Sequence, residues 1–335
     1  MGLFLSRYEK FVKELPDVTG KVFVITGTTS GTGFIAAETV AKQGGEVLLL
    51  NRASSRSVES LERLKASVPD GKFVPIECDL QDFESVRKAV KEIKETYKSI
   101  YCLSNNAGIM AVDDTITKTD GFEVQMQTNH LSHFLLTKEL FPLILAGSKE
   151  YGDARIVQHS SAGRHMTPND GLEEKYFLKQ EKDGLLGGNE DTGMMKGGKF
   201  ERYFQTKLAN SVFTQCLHDK LVAAGENNEE CKNVLSVCAH PGGSKTSLGE
   251  HLKMGFFIDT IFSLLLQSPA DGAMGLLKGM MGTKESVKCG TLYGPKMLAG
   301  YAVPNPSKPY EIDPEAKDML WRTSETATGG KFDII

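Results

Sequence analysis

Short apolar, β-branched runs alternate along the chain with longer stretches in which apolar residues recur every three or four positions. The runs predict strands over Lys21 to Thr26, Glu46 to Leu50, Phe73 to Cys78, Ile100 to Ser104, Ala154 to His159, Val234 to Ala239 and Thr291 to Tyr293. The longer stretches predict helices over Gly33 to Gln43, Val58 to Ala66, Phe83 to Tyr97, Gly121 to Leu145 and Glu201 to Ala224. Parallel strands need long crossovers, which helices supply, so this alternation predicts an α/β doubly wound parallel sheet of about seven strands flanked by helices.

No internal repeat and no Pro- or Ser-rich linker divides the sequence. A single domain over residues 18–335 is expected, preceded by an amphipathic leader over 1–17. Two stretches break the alternation. Between Ser161 and Tyr203 lies an irregular, Gly-rich segment, an inserted loop at about 164–200 that is either disordered or part of a substrate lid. A second region, about 244–285, holds Met254, the apolar run Phe256 to Leu266 and "GMMG", and reads as core helix or as an adaptable wall for a greasy ligand.

The 335 residues carry a net charge of -4, with Lys and Arg scattered among acids, which leaves no basic field for nucleic acid. Six cysteines without a C-x-x-C pair suit reduced, buried thiols, and the N-terminus does not read as a secretory signal, so a cytoplasmic location is expected. The most apolar run, "MGFFIDTIFSLLLQ", is short for a membrane span and contains Asp259. "MGLFLSR" fits the M-G-x-x-x-S myristoylation pattern, with Leu3, Phe4 and Leu5 ahead of Arg7, Lys10 and Lys13. Peripheral membrane contact through the N-terminus is one reading of it, and a frayed leader the other. The oligomeric state, a homodimer included, stays open.

"TGTTSGTG" joins the first strand to its helix. At such a junction backbone N–H groups and a helix N-terminus face whatever lies above the strand, which favours an anion. Gly27, Gly31 and Gly33 allow tight turns and close approach, and Thr28, Thr29 and Ser30 add hydroxyls. After the second strand, where a carboxylate would bond the ribose hydroxyls of NAD, stand Asn51 and Arg52. A guanidinium binds a 2′-phosphate, so a dinucleotide site here favours NADP(H), with Arg56 a second contact. Asp79, followed by Leu80, is placed to accept from an adenine amino group or to cap a helix.

"YFQTK" puts Tyr203 and Lys207 one helical turn apart on one face. An ammonium beside a phenol is expected to pull its pKa down, so that the phenol exchanges a proton with a carbonyl oxygen while hydride moves at carbon. Ser161, just past the fifth strand, is a candidate donor to that oxygen, with Ser160 its rival. "NNAG", Asn105 to Gly108 and so including Asn106 and Ala107, ends the fourth strand beside the crevice, and Asn129 sits within a helix that would not favour it without a polar task. His130 and His133, three apart on that helix, have no third partner at ligand spacing, so no metal site is expected.

Together, TGTTSGTG, Asp79, NNAG, Asn129, Ser161 and YFQTK resemble the short-chain dehydrogenase/reductase family over nearly the whole chain. The resemblance implies a Rossmann-type fold and a catalytic tetrad of Asn129, Ser161, Tyr203 and Lys207. Lys207 would also hold the nicotinamide ribose, and Asn129 a water that relays protons to Lys207. In "HPGGSKT", Pro241, Gly242 and Thr246 match the family's nicotinamide-side contacts, and transfer of the pro-S hydride is implied. "DGFEVQMQTNHLSHFLLT", "KLANSVFTQCL", "QSPADGA" and "LWRTSETATG" resemble the retinol dehydrogenase-like branch. Light-dependent protochlorophyllide reductase is less similar, since this chain has Gly243 and Leu208-Ala209-Asn210 where those enzymes carry cysteines. The expected function is NADP(H)-dependent interconversion of a lipophilic alcohol and its aldehyde or ketone. The alternatives are a protochlorophyllide reductase-like enzyme and a weakly catalytic NADP(H)-binding scaffold or redox sensor.

Overall fold

A computed structural model describes residues 7–190, 195–243 and 267–334. The strands are β1 (Val22–Thr26), β2 (Glu46–Asn51), β3 (Lys72–Glu77), β4 (Cys102–Asn105), β5 (Ala154–His159), β6 (Val234–Ala239), β7 (Thr291–Gly294) and β8 (Val303–Asn305). They form one eight-stranded sheet in the order β3-β2-β1-β4-β5-β6-β7-β8. β1 to β7 pair in parallel and β8 runs antiparallel to β7. The count therefore exceeds the seven expected by one short edge strand. Three residues that include Pro304 give no period to read, and an edge is where a sheet tolerates Pro.

The helices are α1 (Tyr8–Val12), α2 (Gly31–Lys42), α3 (Ser55–Ser67), α4 (Phe83–Thr96), α5 (Val124–Met126), α6 (Ser132–Tyr151), α7 (Gly198–Gly225), α8 (Glu229–Lys232), α9 (Pro269–Met281), α10 (Pro309–Ile312) and α11 (Pro314–Thr328). Central strands β1, β5 and β6 are buried at every position, as strands covered on both faces must be. One apolar cluster joins β1 and β4 to α4, α6, α7 and α11, and a second joins β1 and β2 to α2 and α9. Chain order reverses at β1, whose neighbours are β2 and β4, so the crevice at the carboxyl ends of β1 and β4 is the topological switch point.

The described part of the leader, from Arg7 on, packs against the body. Phe11 and Leu15 are buried, and the amides of Arg7 and Tyr8 donate to Asp271 Oδ1 on α9 at 2.9 and 3.0 Å. The inserted loop is likewise packed over its described part: Tyr176, Phe177 and Leu186 lie in the core. Thr246, the run Phe256 to Leu266 and the myristoylation pattern's Leu3 to Leu5 fall outside the described residues. Among those residues no helix is long and apolar enough to cross a membrane.

Candidate active site

The glycine loop is built against the turn that follows β4. Gly27 has φ +71°, and a Cβ there would lie 2.8 Å from Ala107 Cα; one at Gly33 would lie 2.3 Å from both Asn106 Nδ2 and Gly27 O. Only glycine permits this contact. Asn106 Nδ2 donates to the carbonyls of Thr26 and Gly27 at 2.9 and 3.2 Å, while Thr32 Oγ1 donates to Asn106 Oδ1 at 3.0 Å. Thr26 Oγ1 accepts from the amides of Asn106 and Ala107, each at 3.0 Å. The loop and the "NNAG" turn are thus one rigid unit across the switch point.

Gly31 opens α2 with φ +59°, and the start of that helix follows the loop directly, the position at which a helix N-terminus suits an anion. Thr29 is half-buried at the loop's crest. Thr28, expected among the ligand hydroxyls, is fully buried: Asn51 Nδ2 donates to Thr28 Oγ1 at 2.7 Å, and the Thr28 amide donates to Asn51 Oδ1 at 2.9 Å. Asn51 therefore ties β2 to the loop, and Arg52 next to it is left exposed, as is Arg56. Asp79 Oδ1 accepts from the Gln81 amide at 2.9 Å, closing a turn, and Asp82 takes the α4 cap that Asp79 was a candidate for. The Leu80 side chain is buried and its carbonyl accepts from Ser132 Oγ at 2.6 Å. A glycine cradle with no room for a Cβ, helix amides and an exposed guanidinium fit a phosphorylated dinucleotide.

Asn129, Lys207 and Gly108 meet at one point. A Cβ on Gly108 would lie 3.1 Å from Asn129 Oδ1 and 3.3 Å from Lys207 Nζ. Asn129 sits in a π-helical turn, Gln127–Leu131, between α5 and α6. Such turns are often found at functional sites. Its Oδ1 accepts from the Ile109 amide at 2.8 Å, and its Nδ2 donates to Ile109 O and Thr206 Oγ1, each at 2.9 Å. Lys207 Nζ donates to His159 O at 3.1 Å and lies 5.6 Å from the centroid of the Tyr203 ring. The two serines separate: Ser160 Oγ is buried and donates to Lys207 O at 2.6 Å, while half-buried Ser161 is a hydrogen-bond partner of the Tyr203 phenol.

Electrostatically, burial dominates at the phenol. Burial pushes the Tyr203 phenol up to about 12, and the pull that opposes it comes from Ser161, not from Lys207. The ammonium stands over the Tyr203 ring, and burial lowers Lys207 itself to about 8. His133 and His159 are both held near 3 by burial, with the Lys207 charge adding to it, so each works as a neutral hydrogen-bonding ring. His133 bonds Thr26 Oγ1 at 2.9 Å and His159 bonds Asn106 Oδ1 at 2.7 Å. These bonds were not legible in the sequence, because each joins the ring to a residue far away in the chain, Thr26 on β1 or Asn106 in the turn after β4.

Apolar side chains surround the phenol: Phe200 and Phe204 on α7 cluster with Tyr203, and Met110, Ala111 and Met195 pack against them. Past the end of β6, Pro241 O accepts from Gln267 Nε2 at 2.6 Å, and Gly242 turns with φ +64°. A separate surface cavity of about 510 Å³, bordered by Asp170, Glu174, Asp313 and Glu315 together with Leu172, Tyr310 and Met319, shares no residue with this site.

A family model described as short chain dehydrogenase matches residues 21–170. A short-chain dehydrogenase/reductase of Armillaria gallica is 30% identical over 316 residues, 94% of this chain and 92% of that one. Retinol dehydrogenase 12 of Bos taurus is 28% identical, with 94% and 88% covered. Among solved structures, a protein of Mycobacterium paratuberculosis superposes with a TM-score of 0.71 at 25% identity, covering 96% of this chain and 98% of that one. A short chain dehydrogenase of Shigella flexneri complexed with NADP has the same fold, with a TM-score of 0.58 at 20% identity and coverage of 84% and 98%. With that identity along almost its full length, and the sheet order and crevice described above, the chain belongs to the short-chain dehydrogenase/reductase family, a family of NAD(P)-using oxidoreductases.

Proposed function

We propose that the protein is an NADP(H)-dependent oxidoreductase that interconverts a lipophilic alcohol and its aldehyde or ketone. The observation that carries this reading is the meeting of Tyr203, Ser161, Lys207 and Asn129 within an apolar wall, beside the glycine loop. NADPH, when bound, would supply the hydride. Gly27, Gly31 and Gly33, the α2 amides with Thr29 and Ser30, and the "NNAG" turn would hold its phosphates and ribose. Asp79 and Leu80 would border the adenine, Arg52 would bind the 2′-phosphate, and Pro241, Gly242 and Thr246 would border the nicotinamide. The retinol dehydrogenases among its relatives are named for an apolar alcohol, in keeping with Phe200, Phe204, Met110 and Met195 as a substrate wall.

In this reading Tyr203 donates its proton to the carbonyl oxygen as negative charge grows there, and the Ser161 hydroxyl bonds the same oxygen. A phenol held near 12 is protonated at neutral pH, the form that reduction needs. Lys207, brought to about 8, stands close enough to neutrality to give up a proton at modest cost, and Asn129 fixes the turn that carries Gly108 beside it. A lipophilic substrate also suits a protein that meets a membrane surface through its N-terminus, which is part of the same proposal.

The test is turnover of NADPH with a panel of apolar aldehydes, followed by loss of nicotinamide absorbance. Wild type should consume NADPH, and Tyr203→Phe should lower kcat by at least about a hundredfold with the NADPH dissociation constant unchanged. A wild type that binds NADPH and reduces nothing on a broad panel would return the protein to the scaffold class.

A further inference from the structure

The turn that carries Ser161 is held by two buried charges that no step above uses. Arg164 is 3% exposed and Glu311 1%. Arg164 Nε donates to Glu311 Oε1 at 2.9 Å, and its Nη1 donates to the Ser161 carbonyl at 3.0 Å. Glu311 Oε1 also accepts from Ser211 Oγ at 2.6 Å, and its Oε2 accepts from the Lys308 amide at 2.7 Å. Ser211 follows Lys207 by four residues and Tyr203 by eight, so the three side chains leave α7 along one face. A single carboxylate, brought in by α10, therefore joins the Ser161 turn to the face of α7 that bears the phenol.

Burying an ion pair is a costly way to fill a core, since apolar residues of the same volume are often as good or better for stability. What a guanidinium adds is direction: its planar fork fixes the angle at which the carboxylate and the Ser161 carbonyl are held. We propose that Arg164 and Glu311 form a clamp that sets Ser161 against Tyr203, which makes both of them positioning residues for proton transfer. The inference rests on reading Tyr203 as the acid. Its point of action is the Ser161 hydroxyl, which lowers the phenol's pKa against the effect of burial. Around the clamp stand His165, His240, Lys308, Tyr310 and Cys238, and the Lys207 ammonium faces the Tyr203 ring at 5.6 Å from its centroid.

The test compares the full-length wild type, Glu311→Gln and the double variant Arg164→Met/Glu311→Leu. Glu311→Gln should lower kcat for aldehyde reduction by about tenfold to a hundredfold, the scale of a small misplacement at a reacting centre, with KM for aldehyde and the NADPH dissociation constant near wild type. The phenol C–O stretch of Tyr203, taken from infrared difference spectra against Tyr203→Phe, should shift as its bond to Ser161 is lost. The double variant removes both buried charges and should regain part of the melting temperature lost in Glu311→Gln while kcat stays low, because the bond from Arg164 to the Ser161 carbonyl is now gone as well. Recovery of kcat together with stability would reduce the pair to packing and overturn the proposal, as would an unmoved kcat and C–O stretch in Glu311→Gln. A wild type that reduces no aldehyde, with a C–O stretch that still shifts in Glu311→Gln, would sink the reductase reading and leave the clamp standing.

Discussion

Lys207 is an ammonium enclosed by protein, 4% exposed, with one carbonyl to bond and a depressed pKa as the result. The unfolded chain keeps that proton to about 10.5 and the folded chain gives it up near 8. Between these values the unfolded state binds more protons, so stability rises with pH across the window, and below pH 8 the full penalty applies, on the order of 3 kcal/mol. Lys207→Met should therefore melt above wild type at pH 7, by a margin that shrinks towards pH 10, while carbonyl reduction is lost. Thermal melts at several pH values check this; a variant that melts lower than wild type at pH 7 would mean that the fold stabilises the ammonium. Arg52 offers a separate handle, because its exposed guanidinium stands beside the Asn51 bond that anchors β2 to the glycine loop. Arg52→Ala should weaken NADPH binding by about tenfold and leave NADH binding nearly unchanged, read by titrating both nucleotides. Equal losses for the two would remove Arg52 from 2′-phosphate recognition.

Among the elements, the strand-turn-helix unit from β1 into α2 is the most tightly constrained. A Cβ at position 33 would collide with the Gly27 carbonyl and with Asn106, and neither has room to retreat because Asn106 is bonded to Thr26, Gly27, Thr32 and His159. Gly33→Ala should destabilise the fold by about 3 kcal/mol and abolish nucleotide binding, measured by urea denaturation and nucleotide titration. Near-wild-type affinity would show that the loop is adaptable. At this scale the apolar runs marked several buried elements closely: β5 and β6 fall on the residues predicted, and α4 within one, whereas the helix expected over Gly121 to Leu145 is split into α5, a π turn and α6 and runs on to Tyr151. The sequence was silent on α1, α10 and β8, each of five residues or fewer, too short for a period to emerge, and also on the fifteen-residue α11. The stretch between Ser161 and Tyr203 looked loose for another reason. Its polar, Gly-rich composition conceals that Arg202 donates to the carbonyls of Val112, Leu186 and Gly188 and so ties the stretch to the body.

Across the whole molecule, the carboxyl-terminal segment closes the core over α6 and α7. Trp321 on α11 stacks on Phe332 at 5.1 Å between ring centroids and meets Phe134 edge-on at 5.3 Å, with Phe213 at 5.9 Å. Since α7 carries Tyr203 and Lys207, this cluster supports the candidate site from behind. Trp321→Ala should cost about 3–5 kcal/mol in chemical denaturation and leave the NADPH affinity of the folded fraction intact. A loss under 1 kcal/mol would mark the terminal helix as peripheral. The same reach across the fold appears in Glu311, which contacts Arg164 from 147 residues away.

The alternation of apolar runs, the glycine loop at the first strand-to-helix junction and the one-turn spacing of Tyr203 and Lys207 were determined by the sequence alone, because each depends on neighbours within a few residues of one another. The bond of Ser160 Oγ to Lys207 O, the withdrawal of Thr28 from the crevice, the raised phenol and the buried pairing of Arg164 with Glu311 were decided only by the tertiary structure. Burial, and the hydrogen bonds that compensate it, arise between groups that the chain order holds far apart.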